Sequence, residues 1–293
     1  MHSRFKALEK YDLEKLQSST VAIVGLGATG SVMAEHIARH GINLILIDRD
    51  YLEINDLYSS NLYSREQCES ALPKAKAAEQ KLQDVAEVES YVQNLDSSNT
   101  ELLEDADIIL DGTDNLETRL VLDQYSSLNN VPWIYTAALG ERGFSMFLED
   151  NCFRCMFEKL DPASSCQQNG VMREISSIAA STSSIKAIRK LSGLEVDQRL
   201  EMLPEGRKFE AMECTCNDNE EIKVSSVCGE NKYQVFGSVK PENFQGNVVT
   251  RNKYLSKINF EGTALTVFKS GRAIIKADSR EEAQKVYKKA SSI

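Results

Sequence analysis

The stretch TVAIVGLGATG, residues 20–30, is the most informative part of the sequence for predicting the fold. Its first half, Thr20–Val24, is a short and largely apolar run, as expected of a buried strand. Gly25, Gly27 and Gly30 then follow in the spacing G-x-G-x-x-G, in which glycines let the backbone approach a phosphate. A helix that begins here would direct its positive end at the same group. The stretch predicts a nucleotide-binding turn, with a tight turn that binds no ligand as the alternative.

The residues after this stretch continue an alternation of helix and strand. A helix is predicted over about Ser31–His40, with Gly41 as its stop, and the apolar run Ile42–Ile47 predicts a second strand. Further helices and strands are indicated at 74–83, 88–92, 106–110, 116–129, 131–138 and 178–191, with 144–148 as a hairpin arm. We therefore expect an α/β fold with a doubly wound, Rossmann-like, mostly parallel sheet.

The pattern changes in a polar stretch around residues 204–224. Beyond it come short strand-like runs at 233–236, 264–268 and 273–276 and a final helix at about 280–289. The sequence therefore predicts a large first domain, residues 1–220, and a small C-terminal α+β domain, residues 221–293.

Charge and hydropathy exclude some classes of function. The formal net charge of −10 argues against nucleic acid as the main partner, because phosphate binding requires a basic face. The N-terminal residues MHSRFKALEKYDLEKL lack the apolar core of a signal peptide, and no run approaches the roughly 20 apolar residues of a membrane span. We expect a cytoplasmic protein.

Acidic and basic residues downstream of the glycines favour ATP over NAD. Asp48 lies about 20 residues beyond the glycines, where a carboxylate can bind a ribose hydroxyl. Asp50 follows it, then Lys74 in LPKAKAA, then Asp114 and Asn115 in DGTDN. An enzyme that transfers a hydride needs no extra Lys and Asp near the phosphates. An adenylating enzyme does, because it neutralises a triphosphate and holds Mg²⁺ while a carboxylate attacks the α-phosphorus.

These motifs, in this order and spacing, resemble those of the ThiF/MoeB/HesA family of adenylating enzymes, which are related to ubiquitin-activating enzymes. The resemblance extends through CFRC, SCQQNGV and the final domain, so it covers nearly the whole chain. It implies that residues 1–220 form an adenylation domain that activates the C-terminal glycine carboxylate of a ubiquitin-like sulfur-carrier protein ending in Gly-Gly. Such enzymes are commonly homodimers.

The resemblance also implies roles for individual residues. The three glycines of residues 25–30 would line the phosphates, Asp48 would bind the ribose, Lys74 a phosphate, and Asp114 Mg²⁺-ATP. Each basic or acidic residue has a simpler alternative. Lys74 could be a solvated lysine on a helix face, and Asp114 could cap the helix that begins at Leu116.

One arginine expected from the resemblance has no clear counterpart. Many family members carry S-N-L-x-R-Q after the acidic stretch, and its Arg contacts ATP phosphates. The favoured alignment sets Asp56-Leu57 on this motif and leaves Ser59 in place of the Arg, whereas another sets Asn61-Leu62 there and leaves Arg65 one place late. A further family Arg, near the N-terminus, has a possible match in Arg4.

Four of the seven cysteines form two close pairs. Cys152 and Cys155 make a CxxC, and Cys214 and Cys216 make a CxC. Four thiolates in two close pairs can hold Zn²⁺ tetrahedrally. Relatives with the metal use CxxC twice, so the CxC is a departure, and four reduced, metal-free core cysteines are the alternative.

A fifth cysteine, Cys166, lies in SCQQNGV. The family stretch T-C-x-x-x-G-V carries a cysteine that links to the substrate through a thioester or persulfide, and Cys166, Gly170 and Val171 match its spacing. A thiolate there would attack the anhydride made by adenylation. Several relatives stop at the adenylate, so a structural Cys166 is equally compatible.

Three other functions are compatible with parts of the sequence. An RNA-modifying relative would adenylate and cyclise a carboxylate on a tRNA base, but the acidic charge and Cys166 disfavour it. A non-catalytic subunit would suit the missing Arg, but Lys74 and Asp114 argue against it. An NAD-dependent dehydrogenase is disfavoured by the same residues.

Overall fold

The computed structural model describes residues 5, 7–149, 153, 170–209, 223–226, 232–237, 239–252, 255–269 and 271–292. These residues belong to two compact units. The first contains the described residues up to 149 and those of 170–209, and the second contains residue 153 and the described residues from 223 onward.

The first unit is built on an eight-stranded sheet in the order β3-β2-β1-β4-β5-β6-β7-β8. Its strands are β1 Thr20–Val24, β2 Asn43–Ile47, β3 Val88–Tyr91, β4 Ile108–Asp111, β5 Trp133–Leu139, β6 Arg142–Leu148, β7 Leu200–Leu203 and β8 Arg207–Phe209. Neighbouring strands in the part β3-β2-β1-β4-β5 of the sheet are parallel, and those in the part β5-β6-β7-β8 are antiparallel. The predicted α/β class with a mostly parallel sheet is confirmed.

Helices of this unit connect and cover the strands. They are α1 Leu13–Gln17, α2 Gly30–Ala38, α3 Asp56–Ser59, α4 Arg65–Glu69, α5 Lys74–Leu82, α6 Leu116–Asn129 and α7 Arg173–Leu191, with a 3₁₀ turn at Thr100–Leu103. The apolar run of β1 is buried from Val21 to Val24, and α2 packs on it through Met33 and Ile37, which have no exposed surface. This packing explains why the sequence pattern of this segment predicts its structure so closely.

Helix α7 packs on β5 and β6 partly through buried hydroxyl groups. The Ser183 hydroxyl lies 2.8 Å from that of Thr136 and 2.9 Å from that of Ser145. One turn further, the Lys186 ammonium donates to the Ser145 carbonyl at 2.8 Å. Burial lowers the pKa of Lys186, although Glu201 opposes the shift. Because all these groups have partners, the polar contacts fix the position of α7 against the sheet.

The chain changes direction between β1 and β4. From β1 it continues to β2 and β3 on one side, and then returns to β4 on the other side of β1. The register pairs Val24 with both Ile47 and Asp111, so the carboxyl ends of β1, β2 and β4 are level. Open α/β sheets bind ligands at such a point, outside the carboxyl ends of the strands.

The second unit is a six-stranded antiparallel sheet in the order β11-β12-β13-β14-β10-β9, with one helix. Its elements are β9 Lys223–Ser226, β10 Lys232–Phe236, β11 Asn247–Arg251, β12 Leu255–Phe260, β13 Thr263–Phe268, β14 Ala273–Lys276 and α8 Arg280–Ser291, with a 3₁₀ turn at Pro241–Asn243. Its core includes Val235, Ile258, Ile275 and Tyr287, all nearly or fully buried. The three strands and the final helix expected in this region are present, and β9, β11 and β12 are additional.

Candidate nucleotide site

The glycine-rich turn lies at the carboxyl end of β1, and two of its glycines are required by backbone packing. Gly25 has a φ of +85°, which favours glycine. A Cβ on Gly30 would lie 1.8 Å from the Gly25 carbonyl oxygen, and a Cβ on Gly112 would lie 2.5 Å from the same atom. The loops that follow β1 and β4 are therefore in direct backbone contact.

Gly27 differs from Gly25 and Gly30, because backbone packing does not require a glycine there. A Cβ at Gly27 would meet no heavy atom within 4 Å, so the backbone here borders open space. A glycine that neighbouring atoms do not require is consistent with a ligand that approaches the backbone closely. The geometry fits a phosphate beside Gly27, with Gly25 and Gly30 shaping the turn.

Asp48 connects the end of β2 to this turn. One carboxylate oxygen accepts from the Leu26 N–H at 2.6 Å, and the other accepts from the Asp50 N–H at 2.7 Å. Burial raises the pKa of Asp48, and the two backbone donors together with the nearby Lys74 charge oppose this shift. Each oxygen keeps a lone pair, so the carboxylate can accept a further hydrogen bond, such as one from a ribose hydroxyl.

Tyr63 supports the same turn from the opposite direction. Its buried hydroxyl donates to the Leu26 carbonyl at 2.7 Å, so the peptide groups on both sides of Leu26 are held by side chains. Burial raises the pKa of Tyr63 well above its ordinary value, with smaller contributions from Asp48 and Asp56. The phenol therefore remains a hydrogen-bond donor at neutral pH.

Lys74 begins α5 and is not a solvated surface lysine. Its ammonium lies 3.1 Å from the Asp56 carboxylate, and both side chains are only 14% exposed. Its backbone N–H donates to the Asp50 carbonyl at 2.9 Å, which ties α5 to the acidic segment after β2. Asp50 itself points its exposed carboxylate toward Arg49, 3.5 Å away.

Asp114 lies on the loop between β4 and α6. It is exposed, and among the described residues no hydrogen bond or ion pair engages its carboxylate. The alternative that Asp114 caps α6 is wrong, because the N-cap is Asn115, whose side chain accepts from the Glu117 N–H at 2.9 Å. Asp114 is thus available to a ligand, while Asn115 holds the helix start.

The loop that carries Asp114 is held by a buried ion pair that the sequence analysis did not identify. The Arg119 guanidinium lies 2.7 Å from the fully buried Asp111 and also donates to the Thr113 carbonyl and, at 3.2 Å, to the Thr136 carbonyl. The other Asp111 oxygen accepts from the Thr113 N–H and hydroxyl at 2.9 and 2.6 Å. The signal in the sequence was an arginine on the apolar face of α6, eight residues after an aspartate.

The cysteines assigned to zinc and to catalysis, Cys152, Cys155, Cys166, Cys214 and Cys216, lie outside the described residues. Cys228 lies outside them as well. Cys68 is buried, and burial raises the pKa of its thiol, which makes it a poor nucleophile. Within the described ranges, no group of three or more His, Cys, Asp or Glu side chains is arranged to hold a metal ion.

The sequence matches the profile of the ThiF family over residues 2–226. The chain belongs to the ThiF family. Membership predicted from the motifs is thereby confirmed. In the part of the chain that the structure describes, no helix is both long and apolar enough to cross a bilayer.

Two curated relatives of this ThiF-family chain carry the same name, sulfur carrier protein ThiS adenylyltransferase. The protein of Bacillus subtilis (strain 168) is 27% identical over 299 residues, which span 89% of each chain. The protein of Escherichia coli (strain K12) is 30% identical over 195 residues, which span 62% of this chain and 76% of its own. These names confirm adenylyltransferase as the enzyme class.

Solved structures share the fold of about two thirds of this chain at low sequence identity. PaaA superposes with a TM-score of 0.56 at 20% identity, over 68% of this chain and 65% of its own. E. coli MccB with ATP superposes with a TM-score of 0.53 at 18% identity, over 67% of this chain and 66% of its own. At such identities the likeness concerns the fold alone.

Proposed function

We propose that the chain uses ATP to adenylate the C-terminal carboxylate of a small ubiquitin-like sulfur-carrier protein that ends in Gly-Gly. The observation that carries this proposal is the meeting of the glycine turn, Asp48, Lys74 and the Asp114 loop at the carboxyl ends of β1, β2 and β4. The names of the two ThiS adenylyltransferases support the class of substrate.

In this proposal each group at the site has a defined task. The backbone at Gly25, Gly27 and Gly30 and the positive end of α2 accommodate the phosphates. Asp48 accepts a hydrogen bond from the ribose, and Lys74 donates to a phosphate oxygen. These contacts hold the α-phosphorus in line for attack by the carboxylate of the carrier protein.

In this proposal the exposed carboxylate of Asp114 would bind Mg²⁺, and Asp50, also exposed, would be a second carboxylate for the nucleotide and its metal. When bound, Mg²⁺ neutralises phosphate charge. Asn115 supports Asp114 by capping α6, so its contribution to nucleotide binding is indirect.

The reaction joins the carboxylate oxygen to the α-phosphorus and releases pyrophosphate. Where a covalent step follows, the Cys166 thiolate attacks the acyl carbon, a C–S bond forms, the acyl–phosphate C–O bond breaks, and AMP leaves. In a persulfide variant of this step, the Cys166 thiolate would first accept a sulfane sulfur from a donor persulfide, which leaves as a thiolate, and the outer sulfur would then attack the acyl carbon and expel AMP. Four thiolates, Cys152, Cys155, Cys214 and Cys216, form the donor set proposed for a structural Zn²⁺.

We also propose that the chain works as a homodimer. Ile178 and Ile185 lie seven residues apart on the outer face of α7 and are 38% and 56% exposed. Two turns separate them, so both isoleucines lie on one exposed face of the helix, which a second copy of α7 could cover.

The proposal is tested by calorimetry and by ATP–pyrophosphate exchange. The protein should bind ATP with Mg²⁺ and should not bind NAD. Exchange should require a small Gly-Gly-ending protein, which identifies the partner among candidates from the same genome. Lys74→Ala and Asp114→Ala should each reduce exchange by about a hundredfold or more, because each removes a charge partner of the triphosphate.

Asp84→Ala provides the matched control, since Asp84 is exposed just beyond the end of α5. NAD binding at micromolar strength without ATP binding would refute the proposal. Near-normal exchange by either site variant would remove that residue from the site.

A further inference from the structure

The Lys74 ammonium, which the proposed function assigns to a phosphate, forms an ion pair with the Asp56 carboxylate. The Lys74 ammonium is 3.1 Å from an Asp56 oxygen, and each side chain exposes only 14% of its surface. Without a nucleotide, the lysine proposed to bind a phosphate therefore already has a carboxylate partner.

Both members of the pair are fixed by their backbones. The second Asp56 oxygen accepts from the Glu53 N–H at 2.8 Å, and Asp56 begins the short helix α3. Lys74 is held through its N–H, which donates to the Asp50 carbonyl at 2.9 Å. The segment between β2 and α5 therefore holds the two side chains in contact through its backbone hydrogen bonds.

A phosphate that binds Lys74 must compete with this carboxylate. The ammonium must be shared or released, and the negative charge of Asp56 repels the incoming phosphate. Such effects are strong where solvent is largely excluded. The Lys74 charge also acts on Asp48, whose carboxylate accepts from the Leu26 N–H of the glycine turn, so the ion pair lies beside that turn.

We propose that Asp56 is a positioning residue that limits nucleotide affinity by competing with phosphate for Lys74. In the nucleotide-free enzyme Asp56 orients the lysine and neutralises it. After adenylation Asp56 can recapture the ammonium as pyrophosphate leaves, which favours product release. This inference rests on the proposed function, because it takes Lys74 as the phosphate ligand.

The test removes the charge of Asp56 and retains its shape. In Asp56→Asn the amide oxygen can still accept from the Glu53 N–H, and Asp56→Ser serves as a second neutral variant. We expect the Kd for ATP with Mg²⁺, measured by calorimetry, to fall at least about fivefold in both variants. The Kd for inorganic pyrophosphate in the presence of a chelator should fall as well. Asp84→Asn, with the same charge change at an exposed position, should leave both constants unchanged.

The outcomes separate this inference from the proposed function. Unchanged or weaker binding by folded Asp56→Asn and Asp56→Ser overturns the inference, while ATP binding by the wild type keeps the proposed function. If the variants bind ATP with Mg²⁺ more weakly but bind pyrophosphate in the chelator as the wild type does, Asp56 is a metal ligand. That result would also overturn the inference. A role in folding alone predicts no gain in affinity, so tighter binding cannot arise from that role.

Discussion

The guanidinium of Arg119 and the carboxylate of Asp111 form a buried ion pair, 2.7 Å apart, directly beneath the loop that carries Asp114. Asp111 ends β4 and has no exposed surface, and Arg119 comes from the second turn of α6. Arg119 also donates to carbonyl groups of the loop and of β5 and packs over the Tyr135 ring at 4.8 Å. One side chain thus joins β4, β5, α6 and the loop between β4 and α6.

We predict that Arg119→Lys destabilises the protein and reduces pyrophosphate exchange. A lysine ammonium cannot reach the carboxylate and both carbonyl groups at once, so buried polar atoms lose partners. The free energy of unfolding should fall by about 2–4 kcal/mol, measured by chemical denaturation. Arg39→Lys is the control, because Arg39 forms an exposed pair with Glu35. An unchanged midpoint for Arg119→Lys would show that the pair does not hold the loop.

Tyr63→Phe should weaken ATP binding while the protein still folds. The change leaves the buried Leu26 carbonyl without its donor, at a cost of about 1–2 kcal/mol, and it frees the glycine turn on one side. The KM for ATP should rise several-fold while the secondary structure is retained, as measured by exchange kinetics and circular dichroism. Tyr58→Phe, at a residue that is 71% exposed, should behave as the wild type. Equal behaviour of the two variants would contradict this role.

The purified protein should carry about one zinc per chain, because two close cysteine pairs provide four thiolates. Elemental analysis should find the metal in the wild type and lose it in Cys152→Ser and Cys214→Ser. Cys68→Ser is the control, since this buried cysteine belongs to neither pair. Wild-type protein prepared without chelators and found free of metal would refute the prediction.

Cys166→Ala should separate adenylation from any later covalent step. Exchange of pyrophosphate needs only ATP, Mg²⁺ and the carboxylate, so it should persist. A thiol-sensitive adduct with the carrier protein, detected by gel and mass spectrometry, should disappear because the attacking thiolate is gone. An adduct that survives in the variant would assign the nucleophile to another cysteine. A wild type that forms no adduct with its true partner would make Cys166 structural.

Ile185→Glu should dissociate the proposed homodimer, because it places a charge on the exposed face of α7 that carries Ile178 and Ile185. Analytical ultracentrifugation should show a dimer for the wild type and a monomer for the variant. Leu128→Glu, at a residue of α6 that is 50% exposed, should remain dimeric. A dimer that persists in Ile185→Glu would exclude this face.

Sequence patterns best predict the helices and strands in which apolar residues recur with one clear period or form an uninterrupted run. The strands β1 and β2 and the helix between them lie within about two residues of their predicted bounds, because glycines mark their ends. The strands that the sequence patterns do not predict include β7, β8 and β11. Their residues LEML, RKF and NVVTR mix polar and apolar types, and β11 is exposed throughout, so its pairing with β12 and not its composition fixes it.

At the candidate site, sequence motifs indicate single residues but do not indicate which side chains pair with one another. Asp48 and Lys74 belong to motifs, whereas the partners of Arg119, Tyr63 and Lys74 depend on how loops from different strands meet. Tyr63 lies 37 residues from the carbonyl it binds, and no local pattern encodes that distance. Such contacts follow from the tertiary fold, which brings the ends of β1, β2 and β4 to one level.

The close approach of Gly25, Gly30 and Gly112 restricts how this site can change by mutation. Any side chain at Gly30 would overlap the carbonyl oxygen of Gly25, and any side chain at Gly112 would do the same from the loop after β4. Because the obstructing atoms belong to the main chain, no second substitution can make room for the first. A side chain at Gly30 must therefore distort the turn between β1 and α2, and a side chain at Gly112 must separate the loops that follow β1 and β4, and with them the two halves of the candidate nucleotide site. Gly27 borders open space, so the fold without ligand would tolerate alanine there. The effect of that substitution would be detected only as a change in ligand affinity.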